Sequence, residues 1–124
     1  MIVGIGVDLV KINRFELLID KWQEKLIHRI FTNEEHLYCS RHKNPPQHYA
    51  ATFAVKEAVI KAYGKGDVKF KEIEILRQDT GKPIICLYGD TKKKINYIGV
   101  DNIHISITHD GDYSIAVAIL ENKK

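Results

Sequence analysis

The chain has 124 residues, 44% of them hydrophobic and 28% charged, with 19 basic side chains against 16 acidic ones. That length fits one domain, residues 1–124, around a single buried core. The net charge of +3 is too mild to argue for nucleic acid, though it suits an acidic partner or a phosphorylated ligand.

Met1-Ile2-Val3 runs straight into a glycine-bearing segment, with neither a basic n-region nor a long apolar h-region. No stretch approaches the ~18 apolar residues of a membrane span. The expectation is a cytoplasmic protein with no membrane partner. Cys39 and Cys86 are far apart and lack metal-ligand or redox spacing, so they are expected to be buried thiols in a reducing compartment.

Ile2 to Asp8 alternates as a strand, with Val3, Ile5 and Val7 on one side and Ile2, Gly4, Gly6 and Asp8 on the other. The two glycines remove side chains where something must come close, and Asp8 stands at the edge of that gap. Gly4-x-Gly6 is no dinucleotide fingerprint, since Leu9 takes the third glycine's place. Asp8 as a simple cap of the next helix is the competing reading. Ile12 to Trp22 has Ile12, Phe15, Leu18, Ile19 and Trp22 at helical spacing, with Arg14, Lys21 and Lys25 giving a basic outer side. Thr32-Asn33-Glu34-Glu35 has the form of a capping box and starts a short helix through Leu37 and Cys39. Asn44-Pro45-Pro46 then breaks the chain, and either proline can open a long helix that ends at Gly64.

That helix is unusual for where its charges sit. Lys56 and Glu57 interrupt a run that is otherwise apolar from Ala50 to Ile60, and Glu57 and Lys61, four apart, share a face. An exposed ion pair is the bland explanation; a carboxylate with a use is the other. After Gly66 the period changes. Val68 to Leu76 and Ile84 to Tyr88 read as strands joined by a turn over 78–83, and Thr91 to Tyr97 as a short helix or loop whose lysines are solvated. Ile103 to His109 and Tyr113 to Leu120 form a hairpin around Asp110-Gly111-Asp112, with Ile105, Ile107 and His109 on one face. A lone histidine at a strand end is more often structural than functional. Yet Asp8 and Glu57, if they converge, make a site for a hard cation of the Mg²⁺ kind. Lys56, Lys61, Lys65 and His109 would then offer positive charge to phosphate oxygens.

Five segments occur in a familiar order: Gly4-Ile5-Gly6-Val7-Asp8-Leu9-Val10, Phe53-Ala54-Val55-Lys56-Glu57-Ala58, Lys61-Ala62-Tyr63-Gly64-Lys65-Gly66, Gly81-Lys82-Pro83 and Ser106-Ile107-Thr108-His109. In order and spacing, from Ile2 to about Ile119, the chain resembles the holo-acyl-carrier-protein synthases, the small bacterial 4′-phosphopantetheinyl transferases. The resemblance implies an α+β fold, a central helix packed on an antiparallel sheet, and the transfer of phosphopantetheine from coenzyme A to a serine of apo-acyl carrier protein in fatty acid biosynthesis. It implies Mg²⁺ held by Asp8 and Glu57, with Glu57 or a water it holds taking the serine proton and Lys61 steadying charge on phosphate or leaving group. It puts coenzyme A on Lys61, Gly64, Lys65, Gly66 and His109, and the acidic helix of the carrier protein on Arg14, Leu18, Lys21 and Lys25. It also implies a homotrimer with shared active sites. Two positions depart from the family pattern: Lys11 stands where a Glu is usual, and Thr52 where an Arg is common. A polyketide or peptide-synthetase carrier as the acceptor, or a non-catalytic coenzyme A-binding subunit, are the rival expectations. Binding of nucleic acid through Lys92-Lys93-Lys94 is a poor one.

Overall fold

In the computed structural model, residues 1–123 are described, and one long helix lies across a three-stranded antiparallel sheet. Strand β1 (Ile2–Lys11) leads directly into helices α1 (Ile12–Trp22), α2 (Glu24–Ile30), α3 (Asn33–Arg41) and the long α4 (Pro45–Tyr63). A 3₁₀ turn (Phe70–Glu72) precedes strands β2 (Ile73–Arg77) and β3 (Pro83–Leu87); helix α5 (Gly89–Tyr97) and the hairpin β4 (Asn102–Asp110) and β5 (Tyr113–Glu121) follow. The order β1-β5-β4 makes one sheet, and β2-β3 a separate ribbon. No helix among the described residues is long and apolar enough to cross a membrane.

The glycine gap in β1 is filled by α4. A Cβ on Gly4 would overlap the carbonyl oxygen of Ala62, and one on Gly6 that of Ala58. On β5, which pairs with β1 in unbroken register from Gly4 to Lys11, Ala116, Ala118 and Leu120 are buried, as are Ala50, Ala54, Ala58 and Ala62 of α4. Small residues on both sides bring the helix backbone down onto the sheet. The opposite face of β1 is open: Val3, Ile5, Val7 and Leu9 are 36–62% exposed, an uncovered apolar row beside half-buried Ile115, Val117 and Ile119. A patch of that kind marks an interaction surface.

Local signals hold where side chain and backbone cooperate over a few residues. Thr32 and Glu35 form the reciprocal capping box at the start of α3. Pro45 and Pro46 occupy the first turn of α4, and Gly64 closes it in the left-handed region, at φ 85°. The expected strand from Val68 begins only at Ile73, because residues 70–72 turn tightly and the Phe70 carbonyl is taken by Lys56. Helix α2 (Glu24–Ile30) lies in a stretch where no element is expected from the residues alone. Gln23, at φ 46°, breaks α1 there and redirects the chain so that Ile27 and Ile30 enter the core. Cys39 is buried, its thiol pushed up to about 11 chiefly by burial, whereas Cys86 is only half-buried, on a strand at the rim of the ribbon; both are free thiols.

Candidate active site

Asp8 and Glu57 converge because β1 and α4 touch through backbone. Asp8 lies two residues beyond Gly6 on the face toward the helix, and Glu57 directly precedes Ala58, so the Gly6–Ala58 contact sets both carboxylates at one spot. Lys61, one turn on, donates from Nζ to Asp8 Oδ1 at 2.9 Å and to the Val7 carbonyl at 3.1 Å. The bond to Asp8, then Asp8's charge, raises the Lys61 pKa. Burial raises the Glu57 pKa first, the nearby charge of Asp8 raises it further, and Lys61 opposes both. Two carboxylates that repel one another, one with its pKa raised, form an arrangement that a cation relieves.

The pair opens into a cleft of about 330 Å³ whose walls include Lys11, Arg14, Phe15, Leu18 and Phe53. Arg14 and Leu18 therefore stand on the wall that leads out of the carboxylate site. Lys21 and Lys25 do not line this cleft. Lys21 lies over the ring of Trp22, and Lys25 lines a second hollow with Trp22, Leu26 and Arg29 where α1 meets α2. Beyond the other end of the site, Lys65 shares a groove with Tyr63, Asp67, Lys93, Lys94 and Tyr97. Gly64 and Gly66 flank it at positive φ; a Cβ on Gly66 would meet open space, and one on Gly64 only the Lys61 carbonyl oxygen, at 4.0 Å.

His109 is elsewhere in the chain. It sits on β4, across β5 from β1, and contacts Gln47 in the first turns of α4. Gln47 precedes Glu57 by ten residues, about 15 Å along the helix axis. One chain therefore does not bring His109 to the carboxylates.

Lys56 overturns the expectation that it offers charge to phosphate. It is fully buried, bonded to Glu35 at 2.7 Å and to the carbonyls of Ile30 and Phe70 at 2.7 and 2.9 Å. All three ammonium protons are consumed inside the protein. Thr52 is buried too, its hydroxyl 3.7 Å from Cys39 Sγ, so this position offers nothing to a surface ligand. Lys11, by contrast, is exposed on the cleft wall beside Asp8. Two contributors escaped the sequence reading. Phe53, four residues before Glu57, could have been placed on its face by helical spacing. Gln47 could not, since its partner is 62 residues away.

A divalent ion with a preference for oxygen fits this donor set. Among the described residues no cluster of three or more His, Cys, Asp or Glu side chains could hold a metal. Small hard cations are nevertheless bound by one or two carboxylates together with water and substrate phosphates.

Residues 4–118 match the family model of the 4′-phosphopantetheinyl transferase superfamily. A holo-[acyl-carrier-protein] synthase of Solibacter usitatus is 42% identical over 125 residues, covering 98% of this chain and all of that one. Among solved structures, a holo-[acyl-carrier-protein] synthase from Neisseria meningitidis superposes with a TM-score of 0.91 at 31% identity, covering 98% of this chain and 100% of that one. Another from Bacillus anthracis, solved in complex with CoA (3′,5′-ADP), gives 0.82 at 34% identity and 99% coverage of both chains. A helix seated on glycines, two converging carboxylates and this full-length similarity agree: the chain belongs to the 4′-phosphopantetheinyl transferase superfamily, among its holo-[acyl-carrier-protein] synthases.

Proposed function

We propose that this protein transfers the 4′-phosphopantetheine group from coenzyme A to a serine of apo-acyl carrier protein, releasing adenosine 3′,5′-bisphosphate. The observation that carries the reading is the Asp8–Glu57–Lys61 constellation at the foot of a cleft walled by Arg14 and Leu18. It joins a phosphate-handling centre to a surface fit for an acidic helix. The relative solved with CoA (3′,5′-ADP) supports the donor.

Asp8 and Glu57 would hold Mg²⁺, which when bound neutralises charge on the phosphoryl oxygens. The serine oxygen attacks the β-phosphorus of coenzyme A as the bond from that phosphorus to the bridging oxygen breaks. Adenosine 3′,5′-bisphosphate leaves with the electron pair. Glu57, its pKa raised by burial and by Asp8, is suited to take the serine proton directly or through a water. Lys61 is exposed enough to move its ammonium from Asp8 toward a phosphate oxygen. Lys65, with the bare backbone of Gly64 and Gly66, lies where a nucleotide can come close. Arg14 pairs with carboxylates of the carrier helix and Leu18 packs on its apolar strip. Lys21 and Lys25, farther along, act at longer range to steer the encounter.

The active form in this reading is a homotrimer. The open apolar row Val3, Ile5, Val7 and Leu9 supports it, because a second copy would cover that surface. So does the separation of His109 from Asp8 and Glu57, which a neighbouring copy would resolve by supplying its own histidine to the phosphates. The enzyme serves fatty acid biosynthesis in the cytoplasm, where its two free thiols remain reduced. The test is mass spectrometry of apo-acyl carrier protein incubated with coenzyme A and Mg²⁺. A gain of one phosphopantetheinyl group on the serine is expected; unmodified carrier at full coenzyme A occupancy rejects the reading.

A further inference from the structure

Helix α4 opens with Pro45 and Pro46, and its third residue, the half-buried Gln47, reaches across to the end of β4. Gln47 Nε2 lies 3.1 Å from His109 Nε2. At its other end, Gln47 Oε1 accepts a hydrogen bond from Asn44 Nδ2 at 3.4 Å, which turns the amide so that its NH₂ faces the imidazole. An amide nitrogen can only donate. The ring nitrogen that receives it must carry a bare lone pair, and a neutral imidazole with Nε2 bare has its proton on Nδ1.

The relay Asn44 to Gln47 to His109 thus specifies ring orientation and tautomer together. We propose that Gln47 is a positioning residue that holds His109 as the neutral Nδ1–H tautomer, so that the ring presents an N–H donor to a coenzyme A phosphate oxygen. This rests on the reading of His109 as a phosphate contact. Other titratable and charged groups gather at this corner. His48 follows Gln47 on α4, its ring 4.2 Å from that of His42 at the end of α3, and Arg77 of β2 bears on the same corner; Asp110 follows His109 on β4. Burial, then the charges of His42, Arg77 and His109, hold His48 below the ordinary histidine range. A second proton on His109 would also set N–H against N–H at Gln47.

Gln47→Glu is the informative change because a carboxylate only accepts. At pH 8 it would call the proton to Nε2 and leave Nδ1 bare toward the phosphate. At pH 6 the same carboxylate favours the doubly protonated ring, and the Nδ1–H donor returns. The KM for coenzyme A should therefore rise about tenfold at pH 8 and recover to within about threefold of wild type at pH 6, with kcat little changed. A merely structural role for Gln47 predicts the same loss at both pH values.

The tautomer itself is read by long-range ¹H–¹⁵N spectra of histidine-labelled protein, with the His109 signals assigned by their absence in His109→Ala. Wild type at pH 8 should show a protonated Nδ1 and a bare Nε2, and Gln47→Glu the reverse. Two controls separate the claims. If His109→Ala binds coenzyme A as tightly as wild type, the phosphate reading fails and takes the proposal with it. If His109→Ala binds weakly but wild-type His109 carries its proton on Nε2, or Gln47→Glu loses affinity equally at both pH values, Gln47 does not position the ring.

Discussion

Replacing Lys56 with methionine separates a buried structural charge from a ligand-binding one. The substitution keeps the apolar stem and removes the ammonium that serves Glu35 and two carbonyls. Glu35 retains donors from the Thr32 and Ile75 backbones but loses its counter-charge while almost entirely buried. Breaking such a pair from one side costs about 3–5 kcal/mol. For 124 residues the entropy of unfolding is about 0.26 kcal/mol per degree, so Tm should fall by roughly 12–19 °C at equal protein concentration. The deficit should depend on pH with a definite sign. Burial already raises the Glu35 pKa, and without Lys56 it rises further. A carboxyl whose folded pKa is raised contributes stability below its unfolded value near 4.5 and loses it as pH climbs through the folded value. Lys56→Met should thus lie closest to wild type near pH 5 and farthest from it at pH 8. Calorimetry across that range measures the stability, and coenzyme A titration at low temperature measures the ligand. Folded Lys56→Met should bind coenzyme A within about threefold of wild type, having lost no phosphate contact. A variant that melts like wild type but loses coenzyme A would refute the structural assignment.

Glu57→Gln keeps the side-chain shape but removes a charge from the carboxylate pair, and transfer should fall by at least about 100-fold; activity within threefold of wild type in the carrier-modification assay counts against a catalytic role. Arg14→Glu should raise the KM for carrier protein and leave coenzyme A binding nearly unchanged, with Arg14→Ala milder at low salt. Weakened coenzyme A binding would instead put α1 in the nucleotide site. If sites are shared around a closed threefold ring, inactive Asp8→Ala and His109→Ala chains refolded together in equal amounts should recover about a quarter of wild-type activity. Three rings in four are mixed, and each has one good boundary in three; trimers showing only the mutants' residual rates would argue for a site within one chain. Ser114→Ala should raise Tm by a few degrees, because its buried hydroxyl has no hydrogen-bond partner among the described residues; a fall would point to an unrecognised bond.

How far the chain could be read depended on whether a signal was local. The Thr32–Glu35 box, the Pro45–Pro46 opening and the Gly64 stop each act over a turn or less, and each fell where the residues placed it. The glycines of β1 announced a close approach, yet only the fold shows that the visitor is α4 itself. Asp8 and Glu57 were nameable because a carboxylate within an apolar run is conspicuous. Lys56, adjacent to Glu57 and just as conspicuous, was misread. Its partner Glu35 lies on another helix, and nothing along the chain distinguishes a lysine aimed inward at carbonyls from one aimed at phosphate. Gln23 carries no glycine-like warning of its left-handed backbone, which is why α2 was missed.

The contact between β1 and α4 also determines how much the carboxylate pair can loosen. Most active-site distances are set by layers of side chains, which can swap rotamers and creep as the core relaxes. Here Gly4 and Gly6 leave no such layer, and the span between the Asp8 and Glu57 backbones is governed by main-chain atoms in contact. A joint of that kind has almost no mechanical slack. Repacking elsewhere, such as trimming Ile73 or Ile95, should soften the protein as a whole before it changes the bite of the two carboxylates. An added methyl at Gly6 should do the reverse, prising the jaws apart even in molecules that remain folded.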